Sequence, residues 1–358
     1  MKKRIGSFLL TVCLVLALVP AAAVPVWGDE IDKEKLWWDW EVNGNTLTVT
    51  RDLIIRPGGM LILRGNSILD LNGHTITIES GRTTKSYTPQ GYQDVYSSTS
   101  AIMVCGTNCE IKNGTIQGSS DTACIDVLSG AELKTLARSP SITIRGGTHG
   151  VYVSGTFTMN SNCTVTGCTN EGVFVPSGGS FTMNGGTITG NNKSDPNYGG
   201  GGVFCFNGTF TMTGGSISGN TTDEGGGVAV YGDSGNFTMS GGTITGNTAT
   251  DEGGGVQCYW GSTFTMNGGT IAANSAAYGG GVYVSPRYKH NYGNSVDKAS
   301  SFNLSGSANI YGSYSGGDIY LLDNTITLSS TPSWSHNPTV ALGERHSTNP
   351  SAYYYIYI

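Results

Sequence analysis

Charge is scarce in this sequence. Only 12% of its 358 residues are Asp, Glu, Lys or Arg, about half the usual share. The balance is acidic: the formal net charge is −6, and removing Lys2, Lys3 and Arg4 would leave −9. A chain with so few cations carries no footprint for nucleic acid or anionic lipid. Long apolar runs are missing too. The longest, residues 8–19, holds 12 residues, short of the roughly 20 needed to span a bilayer. Apolar residues at helical spacing do not persist over any window of about ten residues, which excludes helix bundles and alternating α/β folds. No Ser-His-Asp order, phosphate-binding loop or zinc-ligand spacing stands out.

Glycine is abundant instead. There are 55 Gly residues, about twice average usage. They sit at fixed offsets from apolar residues rather than in linkers, so they mark repeated bends and not disorder. The N-terminus reads as an export signal. Lys2, Lys3 and Arg4 form its positive start, residues 8–19 its apolar run, and Pro20 breaks that run. Ala21, Ala22 and Ala23 supply small residues at cleavage spacing, with Val26, Trp27 and Gly28 as a second cleavage point. Residues 1–28 are therefore expected to be a signal peptide. The remainder is expected to be secreted or displayed at the cell surface, with no membrane span once the signal is removed. Seven cysteines follow the signal, an odd number that cannot all pair: Cys105, Cys109, Cys124, Cys163, Cys168, Cys205 and Cys258. They are expected mainly as free, buried thiols.

A repeat dominates the rest. Each unit reads as a Gly-rich turn, then Val-x-Val, then Phe-Thr-Met, then Gly-Gly-Thr-Ile-Thr-Gly-Asn. The Val-x-Val steps begin at Ile102, Ile125, Val151, Val173, Val203, Val228, Val256 and Val282, and a further step fits at Ile319, Tyr320 and Leu321. Their period of roughly 22 to 30 residues is that of a solenoid repeat. Every segment alternates apolar with small polar residues, the period of a strand with one buried face. One unit alone has no partner for its apolar side. Stacked units supply both backbone partners and core, with equivalent residues forming ranks about 4.8 Å apart. The predicted fold is all-β: a single-stranded parallel β-helix of about ten coils over residues 47–330. Residues 29–46, with Trp37, Trp38 and Trp40, are expected to cover its first end, and residues 331–358 its last. The Asn rank at Asn191, Asn220, Asn247 and Asn274 is expected to hydrogen-bond from coil to coil.

The copies reading GGTITGN, GGGV and FTM, with LDLNGHTI at residues 69–76, resemble the right-handed parallel β-helix superfamily of pectate-lyase-like proteins. Within it the chain is similar to repeat-rich surface proteins such as chlamydial polymorphic membrane proteins. The resemblance covers roughly residues 45–330 and implies right-handed winding. The enzyme signatures of that superfamily are mostly missing. Polygalacturonases carry an Asp-Asp that this chain has nowhere. Pectate lyases need a calcium-binding carboxylate cluster beside a basic Arg, and Arg145 is the only Arg between Ser139 and Pro286.

Three groups of residues remain as candidate sites. The middle residue of Val-x-Val points outward, which makes Tyr152, Phe174 and Phe204 three consecutive aromatics in a platform suited to stacking on sugar or to a protein contact. Asp223 and Glu224, with Asp251 and Glu252 one repeat later, sit in acidic turns whose carboxylates could share Ca²⁺. The chain otherwise calls for no cofactor. His149 and Glu171 occupy equivalent positions two residues before adjacent Val-x-Val steps, with Asp126, Arg145 and Tyr152 nearby, a pairing suited to general acid–base work. The reading that emerges is binding or display, of the adhesin kind, with a glycan or a host or cell-surface protein as partner. The alternative is a polysaccharide lyase or glycoside hydrolase with a non-standard site near His149.

Overall fold

The computed structural model describes residues 23–26, 40–57, 59–81, 85–87, 96–98, 100–138, 140–193, 199–285, 299–313, 317–322, 326–328, 339–343 and 354–357. Most of the signal segment, Trp37 and Trp38 lie outside these residues. Among the described residues there is no helix, and so none long and apolar enough to cross a membrane.

Each pass of the chain lays one strand on each of three parallel ladders. The first carries the Val-x-Val strands. It runs from Met60–Leu63 through Ile102–Val104 and Val151–Val153 to Val282–Val284, then on to Ile319–Leu322 and Thr339–Gly343. The second carries the Phe-Thr-Met strands, such as Thr156–Met159, Ser180–Met183, Thr209–Met212 and Asn236–Met239. The third carries the Thr-Ile-Thr strands, such as Thr187–Thr189, Ser216–Ser218 and Thr243–Thr245. Register follows the ranks read from sequence: Val228 faces Val256, Phe210 faces Phe237 and Ile217 faces Ile244. Two passes are longer than the repeat period predicts. One separates Leu61 from its register partner Ile102, and the other separates Val282 from Ile319. The extra length falls between strands, so the ladders keep their register.

Alternation sends every second side chain of these strands into one continuous core. Phe157, Phe181, Phe210, Phe237, Phe264 and Phe302 form a column inside it. Their rings lie nearly parallel, 4.6 to 5.3 Å apart. All six are fully buried, and each such burial is worth roughly 1.5–3 kcal/mol. The Asn rank is equally buried and bonds from pass to pass. Asn191 Nδ2 donates to Asn220 Oδ1 at 2.9 Å, Asn220 Nδ2 to Asn247 Oδ1 at 2.9 Å, and Asn247 Nδ2 to Asn274 Oδ1 at 3.0 Å.

Chain direction reverses where the ladders end. Ala23–Val26 pairs antiparallel with Met60–Leu63, Trp40–Asn43 with Thr46–Val49, and Tyr354–Tyr357 with Thr339–Gly343. Such strands cover edges that would otherwise offer unpaired backbone groups. The seven cysteines among the described residues are unpaired, and all but Cys105 are buried. Cys205 and Cys258 face Val230 from either side. Burial pushes the Cys109 thiol up to about 11 and those of Cys163, Cys168 and Cys205 to about 12. They behave as small apolar fillers and not as nucleophiles.

Candidate functional site

The outer face of the first ladder gathers most of the chemistry. Tyr152, Phe174 and Phe204 stand on successive strands, Tyr152 edge-on to Phe174 at 5.0 Å and Phe174 stacked on Phe204 at 5.2 Å. The row exists, but its expected exposure does not hold along its length. Tyr152 and Phe174 are half-buried, whereas Phe204 is buried, as are Ala229, Gln257 and Tyr283 further along. Phe204 packs against the rings of Phe174, Phe206 and Tyr231, and further along the Gly-rich turn before the strand folds back over the outward residue. At Gly225 and Gly253 an added Cβ would lie 2.6 Å from Ala229 Cβ and 2.7 Å from Gln257 Cβ, and φ is positive at both. Only glycine lets the turn press so close.

The aromatic face also extends sideways. Phe206, Tyr231 and Tyr259 form a second outward column, with Trp260 beside it. Phe206 lies 6.1 Å from Phe204 and 6.5 Å from Trp260, and Tyr231 lies 5.4 Å from Trp260. The sequence carried a signal for this column: the fourth residue counted from the first Val is aromatic in three successive copies.

The acidic segments are strands and not turns. Thr221–Glu224 and Thr248–Glu252 pair in parallel outside the three ladders, with Glu224 facing Glu252. Thr221 and Thr222, like Thr248 and Thr250, supply the β-branched residues that favour this. Alternation then divides the carboxylates. Asp223 Oδ1 accepts from Thr250 Oγ1 at 2.7 Å. Glu224 and Glu252 turn inward over the first ladder. Tyr231 donates to Glu224, and Gln257 Nε2 reaches Glu252 Oε2 at 3.0 Å. Among the described residues no three His, Cys, Asp or Glu side chains come together as metal ligands. Burial, with the charges of Asp251 and Glu224 adding to it, raises Glu252 to about 7 against hydrogen bonds from Tyr283 and Gln257. Burial and the Glu252 charge raise Tyr283 in turn.

Stability should follow from that shift. Glu252 holds its proton more tightly folded than unfolded, so its contribution is present below its ordinary value and is lost as pH rises from about 4.5 to about 7. Melting measured from about pH 5 to about pH 8 should show wild type losing stability relative to Glu252→Gln. Identical pH dependence in the two proteins would contradict the assignment.

His149 and Glu171 come together as their repeat positions suggested. His149 Nδ1 lies 2.7 Å from Glu171 Oε2, with no hydrogen bond between them. The imidazole stacks on Phe174 at 5.6 Å and meets Tyr152 edge-on at 5.9 Å. Glu171 also holds a cation that the sequence reading missed: Lys193 Nζ lies 3.2 Å from Oε1, and both side chains are only 3% exposed. Lys193 closes the longest of the regular passes, and its distance along the chain hid its place beside Glu171. Asp126 faces Tyr152 in register and is buried. Burial, and then the Asp126 charge, raises the Tyr152 hydroxyl. Arg145 ends the strand Ile142–Arg145 of the third ladder with its side chain exposed, away from the strands that carry Asp126 and Tyr152.

The chain matches no known protein family, no curated protein and no solved structure.

Proposed function

We propose that this is an exported protein that binds glycan on the outer face of its first ladder. In this reading the three ladders wind into one right-handed parallel β-helix of about ten coils, of the pectate-lyase-like kind, presented in secreted form or at the cell surface. The observation that supports binding is the continuous aromatic face, from Tyr152 and Phe174 past Phe204 to Phe206, Tyr259 and Trp260. Rings half-exposed in a row, held by buried neighbours, offer flat apolar surface without ordering cost on contact. The protein's few charges favour a neutral or weakly polar ligand.

Binding of the purified chain to a glycan array tests this. Tyr152→Ala and Phe174→Ala should each weaken the captured glycan by about 1 kcal/mol or more, with melting nearly unchanged. Phe204→Ala should instead lower the melting temperature, because that ring is buried against Phe206 and Tyr231. Binding indifferent to Tyr152 and Phe174, or no glycan captured, sinks the reading.

The contact between His149 and buried Glu171 favours a second reading, cleavage of a polysaccharide with His149 as acid–base group. Products from a polyuronate, suppressed about 10²- to 10⁴-fold by His149→Ala, would replace binding with catalysis.

A further inference from the structure

We propose that Asn170 and Lys193 join in an isopeptide bond that the protein forms by itself, with Glu171 carrying the proton. Lys193 Nζ donates to Asn170 Oδ1 at 2.6 Å and lies 3.2 Å from Glu171 Oε1. A buried ion pair needs only the lysine and the glutamate. The third group, a carboxamide, accepts from the same ammonium, which brings the amine to the group whose carbon it would attack. Reacting atoms held so close in one geometry supply much of what an amide exchange lacks in water.

The surroundings fit the reaction. Lys193 and Glu171 are shut away from solvent, while Asn170 is half-buried, so the proton transfer takes place out of water. Gly199 covers the pair, and a Cβ there would lie 2.4 Å from Glu171 Oε1 and 3.0 Å from Lys193 Cε. His149 Nδ1 lies 2.7 Å from the other oxygen of Glu171. Among the described residues nothing is bonded to Asn170 Nδ2, the group that must leave.

The step balances without a co-reactant. Glu171 Oε1 takes a proton from the Lys193 ammonium, and the freed amine attacks Asn170 Cγ. The tetrahedral intermediate collapses as Glu171 passes its proton to Nδ2. The bond from Cγ to Nδ2 breaks, that from Cγ to Nζ remains, and ammonia departs with the second amine proton. Nothing is oxidised or reduced. The product ties residue 170 to the next pass of chain across 23 residues.

Tryptic peptide mapping of the folded full-length chain tests this directly. The expected result is one looped peptide running from Gly146 to Arg287, lighter than that sequence by one ammonia, with no cleavage after Lys193. Glu171→Gln should restore cleavage after Lys193 and give two linear peptides while the chain still melts cooperatively, and Lys193→Arg should abolish the looped peptide. Linear peptides with free Asn170 and Lys193 in folded wild-type protein would overturn the proposal, whatever the variants do. A looped peptide of undiminished yield in Glu171→Gln would overturn the role given to Glu171.

Discussion

Deleting residues 228–255 is expected to leave a protein that folds and melts cooperatively, whereas deleting residues 228–241 abolishes cooperative melting. The longer deletion removes one whole pass. Val256 takes the place of Val228 against Val203, because Val228 faces both neighbours in register. Phe264 then stacks on Phe210 as Phe237 did, and Ile271 follows Ile217. Every ladder closes over the gap, and the loss is one repeat's worth of nearest-neighbour contacts. The shorter deletion removes Phe237 and Met239 but keeps Ile244 and Asn247. The pass then lacks its second strand and sets polar side chains against the Phe column on either side. Thermal melting followed by circular dichroism distinguishes the two. Equal behaviour would mean that the passes are not the structural unit.

Asn247→Ala is expected to cost at least about 3 kcal/mol, far more than its size suggests, because each buried group it orphans costs about 1–3 kcal/mol. Asn247 Oδ1 accepts from the Asn220 backbone N–H at 3.0 Å and from Asn220 Nδ2 at 2.9 Å. Its Nδ2 donates to Ile217 O and to Asn274 Oδ1, both at 3.0 Å. All of these groups are buried among apolar side chains. Alanine leaves two donors and two acceptors short of a partner. Asn184 gives the contrast. It bonds to Asn160 and Thr213 in the same pass-to-pass manner, but at the surface. Water can replace those bonds, so Asn184→Ala should stay within about 0.5 kcal/mol of wild type. Urea unfolding of the two variants side by side checks the claim, and coincident transitions would show that the buried row carries no special load.

These expectations could be written from sequence because a strand ladder puts like on like. Phe237 reads as core once Phe210 and Phe264 stand at its repeat positions, and the Asn row is visible as four identical residues after four identical strands. The site was harder. His149 and Glu171 were legible because each stands two residues before a Val-x-Val step. Lys193 was not, because most of a pass of strand and turn separates it from Glu171, and no repeat position predicts where its long side chain ends. The burial of Phe204 was missed for another reason. Alternation tells which face a residue takes, but not whether the rings of the next column cover it, as at Phe204, or a turn does, as at Ala229 and Gln257. The close approach of Gly225 and Gly253 to the first ladder is a property of backbone path, and GGGV alone reads as an ordinary bend.

Among the described residues, the ladder strands of each pass pair with those of the pass before it and the pass after. Tension applied to the two ends of such a molecule has no long-range closure to break at once. It reaches the outermost pass first and strips it whole, because three strands leave their ladders together. A released pass of roughly 22 to 30 residues lengthens the chain by roughly 75–100 Å, at about 3.4 Å for each residue pulled straight. Load is therefore shed in steps from the ends inward, and the stacked phenylalanines and the asparagine row at the centre are the last to give way.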